Sequence, residues 1–214
     1  KLDSNFIEKL KIENCKLFVV AAYGKILPKQ ILEMPEYGVL NVHPSLLPKF
    51  RGPSPVEGAV LEGISKTGVS IMKLDEEMDH GPILKQITYN LQQTTKSSVL
   101  EKELAQLGGK LLAEVIPDWI DGKIKTKEQN HDEATYTRKI EKLDGLLDLD
   151  GNSTENYRKY LAYDIWPRTY FFTEKNGKNI RVIIKDAVLE NGIFKIKRVI
   201  PEGGKEMDYE VFLM

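Results

Sequence analysis

Three side chains could do chemistry together: Asn41, His43 and Asp79. Asn41 and His43 stand two apart in the apolar run "GVLNVH", residues 38–43, and then "PSLLPKFRG" follows. On a strand, residues two apart point to the same face. A buried strand has no use for an amide and an imidazole, and a loop has little use for Leu46 and Leu47. The stretch therefore reads as the rim of a site. Ligands of open α/β sheets bind just beyond the carboxyl ends of strands. Asp79 lies in "EEMDHGP", the turn after the next strand "GVSIMKLD". An amide, an imidazole and a carboxylate suit acyl transfer by direct attack of a substrate amine. Asn41 can donate to the oxyanion of a tetrahedral intermediate. His43 can stabilise that charge and move a proton, and Asp79 can either orient the histidine or take the proton. Spacing alone also allows an accidental pairing of one histidine with a distant aspartate.

Other chemistries find less support. The chain has three histidines and one cysteine without ligand spacing, so no zinc site is expected. His80 and His131 read as solvated loop residues. Neither a Walker loop nor a G-x-G-x-x-G is present. The single Cys15 excludes an internal disulfide, suits a reducing compartment and reads as a small buried hydrophobe.

The elements that must position these residues follow from periodicity. The 214 residues allow one large domain or two small ones. With 41% apolar and 29% charged residues the chain has ordinary globular composition. No apolar run of about 18 residues predicts a membrane helix. Residues 5–12 predict a short amphipathic helix. "LFVVAAY", 17–23, predicts a strand buried on both faces, as in a parallel sheet. Residues 54–63 predict a helix stopped by Gly63. "PILKQITYNL" alternates like a strand with Ile83, Ile87 and Tyr89 on one side. Leu100, Leu104, Leu107, Leu111, Val115 and Trp119 recur at helical spacing, after a capping box of Ser98 and Glu101. Pro117 is expected to kink or end that helix, with Gly122 as its stop.

Strands alternating with helices to about residue 122 predict an open, Rossmann-like α/β sheet. Residues 123–141 are polar and aperiodic and read as a linker. From 142 to 214 one helix ("TENYRKYLAY") precedes β-rich runs separated by the turn signals "KNGK" and "ENG". Net charge is −1, so global charge leaves no nucleic-acid footprint. Locally, residues 175–198 hold seven basic side chains against Asp186 and Glu190. A solvated sheet face is the plain reading of that run.

"NVHPSLLPKFRG" followed by "GVSIMKLDEEMDHGPIL" closely resembles the folate-dependent formyltransferase superfamily. The resemblance implies that Asn41, His43 and Asp79 are the catalytic set. It implies that Ser45, Leu46, Leu47 and Pro48 bind the folate, with Leu46 and Leu47 lining its pocket. Arg51 and Gly52 would hold or turn the segment, or touch a substrate. "EATYTRKIEKLDGLLDL", "YDIWPRTYFF" and "VIPEGGKEMDYEVFL" are similar to the branch acting on charged tRNA. That branch implies transfer of formyl from 10-formyltetrahydrofolate to the α-amino group of methionyl-initiator tRNA, in the cytoplasm, by a monomer without a metal. The fold implied is a formyltransferase domain at 1–122 and a small OB-like tRNA-binding domain at 142–214, in which the basic run contacts phosphates. Set against the family pattern, the chain begins at Lys1 without the upstream first strand, as in an N-terminally truncated form, and the OB-like domain is short. A sugar-nucleotide formyltransferase, or a non-catalytic folate- or RNA-binding remnant, are the alternative readings.

Overall fold

The structure, a computed structural model, describes residues 4–175 and 177–214. Lys1, and Asn176 in the predicted "KNGK" turn, lie outside the described residues. The chain forms two compact units. The first holds the residues up to Pro55, then Ser65–Leu91 and Glu101–Arg138; the second holds Val56–Ile64, Gln92–Leu100 and Lys139–Met214.

The elements before residue 122 are α1 (Ser4–Glu13), β1 (Phe18–Ala21), α2 (Lys29–Leu32), β2 (Val39–His43), α3 (Pro55–Glu62), β3 (Lys66–Lys73), β4 (Ile83–Asn90) and α4 (Ser97–Ile120). The four strands pair in chain order. β1 runs parallel to β2, while β2–β3 and β3–β4 are antiparallel. β2 and β3 are central and almost wholly buried. The face of α4 that belongs to this unit seals them with Leu104, Leu111 and Val115, all buried. Gly108 makes the close approach: a Cβ there would stand 2.7 Å from a Val42 methyl and 3.2 Å from one of Val69. Trp119 is held by its indole N–H, which donates to the Tyr37 carbonyl at 2.9 Å.

Several expectations change. Among the described residues β1 pairs only with β2 and is an edge strand; its exposure alternates and Val19 is 44% exposed, so it is not covered on both faces. Cys15, in the turn before β1, is exposed rather than buried. Pro117 does not end α4 at its own position. It sits in the last turn, the helix reaches Ile120, and Gly122 at φ +67° follows. The start of α4 is secured from far along the chain and not by a Ser98–Glu101 box. The Ser97 hydroxyl donates to Asp164 Oδ1 at 2.8 Å and the Ser98 hydroxyl donates to Oδ2 of the same carboxylate. That carboxylate faces helix N–H groups whose partial positive charge favours it.

Residues 123–138 do not form a free linker. They belong to the first unit and run across it as a strap. Ile83 and Lys127 exchange both backbone hydrogen bonds at 2.8 Å. Arg51 N–H donates to the Thr135 carbonyl at 2.8 Å, and Thr137 N–H donates to the Arg51 carbonyl at 2.7 Å. Polarity misled here, because a segment that pays its way in backbone hydrogen bonds needs no apolar period.

The second unit contains α5 (Ser153–Ala162), β5 (Tyr170–Lys175), β6 (Lys178–Glu190), β7 (Ile193–Pro201), β8 (Met207–Asp208) and α6 (Tyr209–Leu213). Its strands form an antiparallel sheet in the order β5-β6-β7-β8. Phe171, Val182, Ile184, Val199 and Phe212 are buried in it. The Asn152 side chain caps α5 by accepting from Glu155 N–H at 3.0 Å.

Candidate active site

β2 delivers Asn41 and His43 to one face at its carboxyl end, as their spacing predicts. Asn41 is paired through its backbone with Val20 of β1 and Met72 of β3, which fixes its height in the sheet. Its side-chain amide has no protein hydrogen-bond partner among the described residues, so its donor capacity is unspent. His43 is 4% exposed.

The loop after β2 is tied down by one hydroxyl of β3. Ser70 Oγ donates to the Ser45 carbonyl at 2.6 Å, and accepts from Leu47 N–H at 3.1 Å and from the Gln86 amide at 2.8 Å. Gly68 of β3 keeps the space clear, since a Cβ there would meet Ile87 O at 2.0 Å and Leu46 Cδ2 at 2.7 Å. Within the loop, Ser45 is fully buried and its hydroxyl donates to the Lys49 carbonyl at 2.6 Å. Leu47 turns inward onto Met72, Ile83 and Leu74. Two of the four residues expected to meet a folate, Ser45 and Leu47, thus have side chains engaged within the fold. Leu46 and Pro48 remain half-buried, and they and the loop backbone are what this segment can offer a ligand.

At the far end of the loop Phe50 takes φ +57° and aims its carbonyl back at His43. His43 Nε2 stands 2.9 Å from that oxygen. A carbonyl only accepts, so Nε2 carries the proton of the neutral ring and Nδ1 keeps its lone pair. Asp79 Oδ1 stands 3.6 Å from Nδ1. That is too long for a hydrogen bond, in keeping with an Nδ1 that carries no proton. Phe50, not Asp79, orients the neutral ring. Asp79 faces the atom that a transferred proton would reach. Its other oxygen accepts from Gly52 N–H at 2.7 Å.

Burial pushes the His43 imidazole below its ordinary value of 6.5; the Asp79 carboxylate and the Phe50 carbonyl oppose this, and the Arg51 guanidinium adds to the depression. The ring is therefore neutral at pH 7 and available as a base.

Arg51 settles its own role. It is 1% exposed, and its side chain is engaged within the protein. Its guanidinium donates to Gln129 Oε1 at 2.7 and 3.2 Å, to His131 Nδ1 at 2.9 Å and to the Tyr136 hydroxyl at 3.2 Å. His80 and His131 are not independent solvated residues: their rings stack with centroids 4.0 Å apart. His80 Nδ1 lies 2.6 Å from Asp75 Oδ2. Gln129, Thr135 and Tyr136 were missed as parts of this corner. For Thr135 and Tyr136 the signal is the word "EATYT", whose threonines and tyrosine can make such hydrogen bonds; Gln129 carries no signal of its own. Among the described residues no group of three or more histidines, cysteines or carboxylates is placed to hold a metal ion.

A strand-end amide and imidazole facing a loop carboxylate, on an α/β sheet, define a class. The family described as Formyl transferase matches residues 1–116, and the chain belongs to that family. Relatives named for one branch match over most of the chain. The methionyl-tRNA formyltransferase of Chloroflexus aggregans is 43% identical, over 85% of this chain and 58% of that protein. That of Caldicellulosiruptor saccharolyticus is 36% identical, over 100% of this chain and 75% of the relative. The chain thus spans less than two thirds of the Chloroflexus protein. Among solved structures, HypX from Aquifex aeolicus in complex with tetrahydrofolic acid superposes with a TM-score of 0.74 at 18% identity, covering 97% of this chain and 40% of that one. At that identity the likeness is one of fold.

Proposed function

We propose that the chain is a methionyl-tRNA formyltransferase, moving a formyl group from 10-formyltetrahydrofolate to the α-amino group of methionine on initiator tRNA. The observation that carries this reading is the pair of unspent functional atoms on β2, the Asn41 amide and His43 Nδ1, with Asp79 behind the latter. The amine attacks the formyl carbon and a C–N bond forms. The Asn41 amide donates to the developing oxyanion. The ammonium proton passes to His43 Nδ1, where the Asp79 carboxylate offsets the new charge. Collapse breaks the bond to the folate nitrogen, which takes the proton back. No covalent enzyme intermediate and no metal are required. Leu46, Pro48 and the backbone of 45–48 hold the folate, with Ser45 and Leu47 shaping that backbone from beneath. The folate-bound relative by fold and the similarity to the methionyl-tRNA branch support the choice of substrates.

Residues 1–122 with their strap serve catalysis, and 142–214 form a reduced OB-like unit that docks tRNA. The basic run is less bare than its sequence implies. Lys195 and Lys197 both pair with Glu190, and Arg198 pairs with Glu206 and Asp208. Arg181 lies over the Tyr170 ring at 3.8 Å. Lys178 and Lys185 carry no such partner among the described residues and are the charges most available to phosphate. The enzyme acts in the cytoplasm as a monomer. No helix of the described residues is long and apolar enough to cross a membrane.

The test is a formyl-transfer assay with charged initiator methionyl-tRNA and, in parallel, a sugar-nucleotide amine, on this chain and on an upstream-extended product of its gene. Formylation of the methionyl-tRNA alone is the expected result. Formylation of the sugar amine alone would move the chain to the other branch. Folate binding without transfer to either acceptor by either protein would leave a binding remnant.

A further inference from the structure

Asp79 is a non-glycine residue at φ +51°, a backbone conformation that must be held in place by its surroundings. Its loop has one buried side chain as a brace. Gln129, 5% exposed, donates both amide hydrogens into the loop, to the Asp79 carbonyl at 2.9 Å and to the Gly81 carbonyl at 2.7 Å. The same amide's oxygen accepts twice from Arg51. Arg51 only donates, so it fixes which end of the amide faces the loop. Arg51 also begins the segment whose next N–H, that of Gly52, binds the Asp79 carboxylate. One side chain therefore clamps the turn carrying Asp79 to the segment that anchors its carboxylate. Gly81 permits the close fit, since a Cβ there would lie 2.0 Å from the Lys73 carbonyl.

We infer that Gln129 is a positioning residue for catalysis, setting the Asp79 carboxylate against His43 Nδ1 through the two loop carbonyls and the Arg51 link. It touches no reacting atom. The inference rests on the formyl-transfer reading for its kinetic consequence, and on geometry alone for its effect on His43.

Two variants test it. Gln129→Met keeps size and loses every hydrogen bond without burying a charge. Gln129→Glu keeps the Arg51 contact and replaces the donors facing the loop by acceptors. A misplacement of about 1 Å at an active site costs on the order of 10²-fold, so kcat should fall about 10- to 100-fold. KM for the folate donor should stay within about twofold, because ground-state binding is untouched. In an Asp79→Asn background the same substitutions should have little further effect, since positioning a group that no longer acts is worthless. Independently of any substrate, the His43 ring, followed by NMR, should titrate at lower pH in Gln129→Met than in the parent, because the facing carboxylate has moved off. That midpoint should not fall again when Asp79→Asn is added. Losses that multiply on top of Asp79→Asn, or an unmoved His43 midpoint in folded Gln129→Met, would overturn the inference. Should Gln129→Met fail to fold, the kinetic cycle with Gln129→Glu decides. If no protein of the series transfers formyl, the functional reading falls and the His43 titration still judges Gln129.

Discussion

The corner around His43 and the charged surface of β6 and β7 are built on opposite terms. Around His43 the polar atoms that frame the site have partners of fixed direction: Nε2 on the Phe50 carbonyl, Ser70 at the centre of three bonds, Arg51 among neutral acceptors. On β6 and β7 the charges meet in pairs at exposed positions, where water and salt screen them. Transition-state charge is stabilised best by dipoles that are already in place, so the first arrangement suits chemistry. Capturing a polyanion needs charges that can be exchanged for counterions, so the second suits docking.

The contrast breaks most visibly at the catalytic set. Asn41→Ala, His43→Ala and Asp79→Ala should each lower kcat by about 10²–10⁴-fold with the circular dichroism spectrum unchanged. Parent turnover in folded His43→Ala would remove the asymmetry between the two regions. Next in size is Gly108→Ala. Its methyl would press on Val42 and Val69, and overpacking of this kind costs about 1–3 kcal/mol. Thermal unfolding measures it, and an unchanged midpoint would mean that α4 has room to retreat from the sheet.

A pH titration of stability sharpens the comparison further. The His43 pKa is lowered in the fold, so from 6.5 downward the unfolded chain takes up a proton that the folded chain resists. Stability therefore falls as pH drops from the ordinary value of 6.5 towards the depressed one, and levels off below it. Urea unfolding between pH 7 and 5 should show this slope, and a folded His43→Asn variant should lack it. The smallest effects belong to the exposed surface. Formylation at subsaturating tRNA should decline with added salt, as counterion release requires. Glu190→Ala frees Lys195 and Lys197 and should raise tRNA affinity while leaving the melting temperature where it was. A tighter salt-independent complex would show that the surface reads shape instead of charge.

How much of this was legible beforehand depends on the range of the interaction concerned. Asn41 and His43 share a face because strand alternation is local, and any reader of "LNVH" can see it. The long helix is visible from Leu104, Leu111 and Val115 for the same reason. Asp79 was legible through resemblance, not spacing. What failed was whatever depends on distant partners. Val19 looks buried until the sheet's edge is known. The core contacts of Leu47 cannot be seen until Met72 and Ile83 arrive beneath it. Lys195, Lys197 and Arg198 look like a cationic strip until the β6–β7 hairpin sets Glu190 beside the two lysines and β8 and its approach bring Glu206 and Asp208 alongside Arg198. Gln129 lay in a stretch with no period at all.

The strap has a practical consequence for anyone trimming this protein to its smallest working piece. A cut after Gly122 falls at an inviting place, just past a helix and at a glycine. It would strip the partners from the backbone N–H groups of Arg51 and Ile83, and from the guanidinium buried between them and the Asp79 loop. The fragment would keep Asn41, His43 and Asp79 and lose their common frame, so the strap as far as Thr137 belongs with them.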